Sequence, residues 1–373
     1  MAYGISPSLA QYSHGLQIIM LTRRLQWPLV TVSVLLCLVL LVLVISGKKR
    51  AWWLIGLGPV LALFAHRFAT NPQNQFSVIE NPPMVAPDSA GAFLRDDDWI
   101  VGVVFDDQPY AFPYAQLYSN PVVVNSSREK RMLLMWSPFA NCATANLVDR
   151  DVHGRELDIV SMPANAVLVY NRRLGQFMNG VTGRTPDGSA PTGVRAPLAA
   201  QKATWKDWLA AHPDTKVMSP TGRPIAGAPS GPVVPQHPTP GADETDAKKL
   251  IVFIPATQPV AVFEEEVKAA PINVSAGGLP VLIFRDPHSH QLRAFDRHVE
   301  EDLMPRFELN TDRRRKDATF IDVDTNTGWS ATGVAVDGDK SMRGRKLRPV
   351  EVQEDLYLGV MKYWYPELKL VHP

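Results

Sequence analysis

Two uncharged apolar runs open the chain, and short β-branched runs broken by proline and glycine fill the rest. Trp27 to Gly47 carries no charge, and Leu29 to Ile45 is almost wholly leucine, valine and isoleucine. About 20 such residues cross the hydrocarbon core of a bilayer as a helix. Lys48, Lys49 and Arg50 close that run. Ala51 to Ala65 is a second uncharged stretch, opened by Trp52 and Trp53, which suit a membrane interface. It is shorter, and Gly56, Gly58 and Pro59 weaken it as a span. The pattern predicts an N-terminal tail over 1–26 and a transmembrane helical hairpin over 27–69. One span followed by an interfacial helix is the alternative. A cleaved signal peptide fits less well, because no small-residue cleavage site closely follows the first run. Charge does not orient the hairpin, since Lys48, Lys49 and Arg50 in its loop balance Arg23, Arg24 and Arg67 at its ends.

The remaining pattern is strand-like. After a proline-bearing connector over 70–94, Trp99 to Phe105 is rich in β-branched residues. Asp106-Asp107 turns it and Tyr110 to Phe112 begins the return of a hairpin. Further strands are predicted at Val122–Val124, Met132–Trp136, Ala145–Asp149, Glu156–Val160 and Ala166–Tyr170. Thr204 to Ala211 reads as a helix, with Thr204 as N-cap, Asp207 three residues on, and Pro213 as its stop. Ser219 to Lys249 is proline-rich and reads as an extended linker that buries little. Beyond it, strands are predicted at Leu250–Ile254, Val281–Phe284, Gln291–Phe295, Ala318–Val323 and Gly328–Val334, and a helix at Glu354–Tyr365.

The two halves echo each other. Thr182-Gly183 with Asp187-Gly188 returns as Thr332-Gly333 with Asp337-Gly338, 150 residues later. Gln108-Pro109 returns as Gln258-Pro259, Leu133 to Pro138 as Leu282 to Pro287, Asp149-Arg150 as Asp296-Arg297, and His212-Pro213 as Tyr365-Pro366. Turn chemistry alone produces isolated matches of this kind, but collinear ones at nearly constant offset point to a duplicated domain. The expected fold is therefore α+β and β-rich. It has two tandem repeats of mainly antiparallel strands, over 95–218 and 250–373, each closed by a C-terminal helix and separated by the linker 219–249.

Composition narrows the function classes. A net charge of +1 supplies no field that would favour nucleic acid. Two cysteines, Cys37 and Cys142, allow no disulfide framework. There is no nucleophile elbow, phosphate-binding loop or dinucleotide fingerprint.

At Met135 to Arg150 (M-W-S-P-F-A-N-C-A-T-A-N-L-V-D-R) the chain resembles a family of bacterial proteins known as domain of unknown function 3179. Tyr170-Asn171, Gly175, Thr182-Gly183, Trp205 to Trp208 and His212-Pro213-Asp214-Thr215 follow that family's order, over roughly 95–373. The resemblance implies a membrane-attached, extracytoplasmic setting and no particular reaction. The family's C-P-x-C pair is absent: Ser137-Pro138 stands where Cys-Pro is expected, and Cys142 is the one cysteine nearby. Asn171 replaces an aspartate, and Gln176-Phe177-Met178 a Ser-x-Trp.

Few side chains suggest chemistry. Asp286, His288 and His290 alternate, so on a strand they share a face and could hold a transition metal; an exposed polar hairpin is the simpler account, because no second cluster completes the set. Cys142 with His153 could form a nucleophile pair, or Cys142 could be a small core residue. The basic run at Arg313 to Lys316 reads as a solvated turn or a contact for a phosphate or lipid headgroup. The leading expectation is an extracytoplasmic binding or scaffold module anchored in the cytoplasmic membrane, with an unknown protein or small-molecule ligand. The alternative is a metal-dependent or redox enzyme with its site between the two repeats.

Overall fold

The computed structural model describes residues 7–46, 56–62, 65, 76–221, 228–241, 243–287, 291–299, 303–338 and 340–372. The fold is α+β, mostly strands in several sheets, behind one apolar N-terminal helix. The chain divides into two compact units, Met1–Gly241 and Ala242–Pro373.

The first unit opens with a 3₁₀ turn, Pro7–Gln11, and helices α1 (Gly15–Arg24) and α2 (Gln26–Ser46). None of the α2 side chains is buried, and its 21 residues have the length and composition of a membrane anchor or a signal sequence. A short helix, α3 (56–62), follows. Of the second apolar run predicted from sequence, 51–55 and 63–64 lie outside the described residues.

Residues 76–94 were expected to connect. They instead add edge strands to the fold. β1 (Val78–Glu80) pairs in parallel with β5 (Val122–Ser127), and β2 (Met84–Val85) pairs antiparallel with β13 (Lys216–Met218). The short helix α4 (Pro87–Ala90) places Pro87 at its start, where a missing N–H costs nothing. β3 (Trp99–Phe105) and β4 (Gln108–Pro113) form the predicted hairpin. Asp106 and Asp107 both take positive φ (55° and 61°), as a tight two-residue turn requires. The helical turn α5 (Tyr114–Leu117) leads into β5, and β6 (Lys130–Ser137) and β7 (Cys142–Val148) continue the meander. Then come β8 (Leu157–Ser161), β9 (Leu168–Asn171), β10 (Gln176–Asn179), β11 (Val194–Leu198), β12 (Ala200–Thr204) and α6 (Trp205–Ala211). As predicted, the Thr204 hydroxyl caps α6 by accepting from Asp207 N.

Three sheets result, ordered β1-β5-β6-β7-β11, β12-β3-β4-β13-β2 and β10-β9-β8. Their inward positions form one core that includes Phe105, Phe112, Leu134, Trp136 and Ile159. Trp205 and Trp208 of α6 pack on Ile100, Ala111 and Val217. Gly102 makes that seat: a Cβ there would lie 2.3 Å from Trp208 Cζ3.

The second unit runs α7 (Glu244–Ala247), β14 (Leu250–Ile254), β15 (Val260–Phe263), α8 (Glu264–Ala269), β16 (Ile272–Ala276), β17 (Leu279–Arg285), β18 (Leu292–Asp296), β19 (Phe307–Leu309), β20 (Phe320–Asp322), β21 (Thr327–Trp329), β22 (Arg348–Pro349), β23 (Gln353–Tyr357), α9 (Leu358–Trp364) and β24 (Lys369–Leu370). Its sheets are β23-β14-β15-β24, β16-β17-β18-β22 and β19-β20-β21. Their succession follows that of β12-β3-β4-β13, β5-β6-β7-β11 and β8-β9-β10 in the first unit.

Two sequence expectations are corrected here. The helix read as Glu354–Tyr365 begins only at Leu358. The preceding residues form β23, which pairs with β14 through Ile251 and Leu356. The run Gly328–Val334 stops as a strand at Trp329, because Ser330 to Gly333 turn the chain, with Gly333 N donating to Ser330 O.

Part of the proline-rich segment is also more ordered than its composition implies. Residues 228–241 lie along the first unit, where Trp99 N donates to Ser230 O, and Ala228 and Val233 pack against the core.

Candidate functional site

The segment that carries the family resemblance forms a closed corner. β6 and β7 pair down to Ser137 opposite Cys142, and Pro138–Ala140 makes a single 3₁₀ turn between them. Asn141 ends that turn with φ 47°, a left-handed conformation asparagine tolerates better than most residues. Its side-chain oxygen accepts from Tyr114 OH at 2.9 Å, and its backbone oxygen accepts from Lys202 Nζ at 2.6 Å. Lys202 is buried, and this bond is one that offsets the desolvation of its charge. Trp136 lies tilted on Tyr114 with ring centres 4.7 Å apart and meets Tyr118 edge-on at 5.7 Å, which walls the corner with aromatic rings.

Neither hydroxyl nor thiol at this corner is arranged as a nucleophile. Ser137 is fully buried, and its Oγ accepts from Val167 N at 3.0 Å. It also sits so close to Gly180 that a Cβ there would lie 2.7 Å away. Cys142 points at Val181 O, 3.7 Å from its sulfur. Burial pushes its thiol up to about 12, against a smaller opposing effect of the Lys202 charge. Such a thiol stays protonated at neutral pH, and the thiolate is the reactive form.

His153, the suggested partner of Cys142, lies at the other end of the hairpin. Cys142 faces Ser137 there, while Val148, five residues before His153, faces Arg131. Six residues of strand separate the two ends by roughly 20 Å. His153 Nδ1 instead sits 3.2 Å from Glu80 Oε1 and 2.9 Å from Arg131 Nη1, in a surface cluster that ties β1 to β6.

The proline-rich segment covers the corner through one residue. Asn165 is fully buried and left-handed, with φ 67°. Its Oδ1 accepts from Gln236 N and His237 N at 2.9 and 2.8 Å. Its Nδ2 donates to His237 O and Thr239 Oγ1 at 2.8 and 3.2 Å. This primary amide reads the strap's backbone as a strand would. The His237 ring then meets Phe139 edge-on at 5.3 Å, and burial holds its pKa down at about 4. Nothing in the sequence marked Asn165 or His237. The signal available was the P-A-N turn at Pro163, whose Ala164 and Asn165 both have positive φ.

Of the suggested metal set, His288 and His290 lie outside the described residues. Asp286 is buried, with its carboxylate 3.7 Å from Arg293 Nε. Among the described residues, no three histidine, cysteine or acidic side chains gather as a metal site. His298 pairs with its neighbour Asp296 at 2.7 Å. In the basic run, Arg314 turns back on Asp312, which holds that carboxyl down at about 2. The echoed Thr-Gly/Asp-Gly motif makes turns: Gly183 and Gly333 have φ of 68° and 74°, Gly188 and Gly338 of 85° and 101°.

A second feature was missed from sequence. Helix α1 lies on the outer face of the β8-β9-β10 sheet. Ile19 is fully buried among Val160, Leu168 and Phe177, with Leu16, Met20 and Tyr170 around it. Arg23 pairs with Asp158, and its guanidinium lies 5.4 Å from the Tyr170 ring centre; that of Arg24 lies 5.5 Å from Phe177. The readable signal was the face itself. Val160, Leu168, Tyr170 and Phe177 point away from the core, so something apolar must cover them. On β19-β20-β21 of the second unit, the positions at the same places in the strand pairing keep one large apolar side chain, Ile321, beside Asn310, Thr319 and Gly328.

No curated protein and no solved structure matches the chain. A family model described as a protein of unknown function (DUF3179) matches residues 73–367, which takes in both units. The chain belongs to the DUF3179 family, as the residues around Ser137 suggested.

Proposed function

We propose that this protein is a membrane-anchored binding or scaffold module, not a catalyst, built from two tandem repeats and held by a helical hairpin. The observation that carries the reading is the seat of α1 on the first unit. Residues on both sides of α2 touch each other, through Ile19 on Phe177 and Arg23 on Asp158. If α2 crosses a bilayer, the chain must cross back before residue 76, which makes a hairpin. The position of Gly56 supports this, since a Cβ there would come within 3.8 Å of Leu40 in α2. The shared strand succession of the two units supports duplication.

The corner supports a binding role. Where relatives are expected to carry a cysteine pair, this chain has a buried serine engaged by backbone and a thiol held protonated. The extracytoplasmic setting rests on the family resemblance.

The test is alkaline carbonate extraction of membranes from cells expressing the full chain, followed by intact mass measurement. An uncleaved chain that stays with the membrane, with N- and C-terminal epitopes accessible from the same side, supports the proposal. A soluble product that begins after Gly47 would identify α2 as a signal sequence and remove the anchor.

A further inference from the structure

We infer that the first unit is seated on the bilayer surface by an arginine patch that takes the phosphates of anionic lipids. This rests on the anchored reading above. Arg24 lies two residues before Gln26, where α2 begins, so its backbone stands about 3 Å beyond the start of that helix. Whatever its side chain touches lies at headgroup level, a zone roughly 6 Å deep on each side of the hydrocarbon core. It touches Phe177 of β10.

The rest of the patch follows from that contact. Phe177 pairs with Tyr170, which places the β9–β10 turn and its Arg172 and Arg173 beside the same level. Arg172 is 54% exposed and shares Asp158 with Arg23. The exposed Arg155 sits next to it, its backbone oxygen accepting from Arg172. Arg23 and Arg172 thus share one carboxylate, Asp158, with Arg24 over Phe177 and the exposed Arg155 next to Arg172, while Arg173 is engaged by Asp151 and Glu156. Cations next to an anionic leaflet are attracted to it.

The outer side of α1 fits the same placement. Ile18, Leu21 and Leu25 are 49%, 55% and 42% exposed. Their spacing continues through Leu29 and Val32 of α2 as one helical face, and Leu29 N donates to Leu25 O across the junction. An apolar stripe that runs without a break out of a spanning helix is covered by lipid, as in interfacial helices.

The experiment is hydrogen exchange on the full chain in nanodiscs of neutral phosphatidylcholine, in nanodiscs with added phosphatidylglycerol, and in detergent with inorganic phosphate. Slower exchange over 172–178 in the anionic discs than in the neutral ones, lost in the Arg24→Gln/Arg172→Gln double variant, is expected. Unchanged exchange at β5 to β7 shows that the variant is folded. If 29–45 is protected in both discs but 172–178 is indifferent to lipid charge, the seat is wrong and the anchor stands. If 29–45 is unprotected as well, the anchored reading fails with it. Equal protection by free phosphate in detergent would make the patch an anion site, not a lipid seat. Protection that appears only when two copies share a disc would make it a contact between chains.

Discussion

Arg23 and Asp158 form an ion pair across 135 positions of sequence, with only 11% and 9% of their side chains exposed. Asp158 also holds Arg172 at 3.3 Å, so one carboxylate binds the segment before α2 to the sheet after it. Removing one member of a buried pair leaves the other charge without its partner, at a cost of about 3 kcal/mol. Asp158→Ala is therefore expected to release α1. Amide exchange over residues 15–24 should rise roughly a hundredfold, while the sheet β5-β6-β7 keeps its protection. Exchange confined to its wild-type rate would show that Ile19 alone holds the helix.

Legibility in the sequence followed the range of the interactions. The β3–β4 hairpin and the α6 cap depend on residues a few positions apart, Asp106-Asp107 and Thr204 with Asp207, and both were readable. The family was readable from Met135 to Arg150 even with its C-P-x-C pair absent. β10 and β23 were not read as strands. Each is short, and each is fixed by a partner strand more than by its own pattern, as tertiary pairing overrides local preference. The α1 seat and the Asn165 clamp were missed for the same reason: they join residues far apart in sequence, and a buried asparagine looks like any turn residue until its partners are placed. The proline-rich strap misled because composition reports what a segment can bury, not which backbone groups a neighbour can bind.

Asn165→Ala tests the clamp. The change removes four hydrogen bonds to Gln236, His237 and Thr239, worth about 2–3 kcal/mol in net terms. The strap should then be cut much faster by a protease within 228–241, while the melting of the first unit shifts little. Wild-type cleavage would mean that Val233 and Ser230 suffice to hold it.

The same strap should loosen in acid. His237 has a pKa of about 4 when docked, against an ordinary value of 6.5, because burial disfavours its charged form. The docked state thus binds a proton less readily than the free strap. Docking is at full strength above pH 6.5 and weakens as pH falls from there towards 4. Protease cleavage within 228–241 should rise between pH 7 and pH 5 in the wild type. It should stay flat in His237→Phe, which keeps a ring against Phe139. Equal pH dependence in both would assign the effect to carboxylates elsewhere.

Ser137→Cys should give the corner a cysteine pair able to form a disulfide. Ser137 and Cys142 are directly paired across the hairpin, so their side chains share a face, with Cα atoms about 4.5–5.5 Å apart. That spacing lies within the range a disulfide accepts. The sulfur at 137 would replace an oxygen already bonded to Val167 N and crowded by Gly180, so the reduced variant should lose about 1–2 kcal/mol of stability. Oxidation should recover it, with a mass 2 Da lower and a higher melting temperature than the reduced form. The remaining cysteine, Cys37, lies in α2, so a cross-link between strands of the first unit can form only between 137 and 142. A variant that stays reduced under mild oxidant would show that the corner has lost the backbone shape as well as the sulfur. A variant that oxidises would show that only the side chain separates this corner from one able to cycle a disulfide.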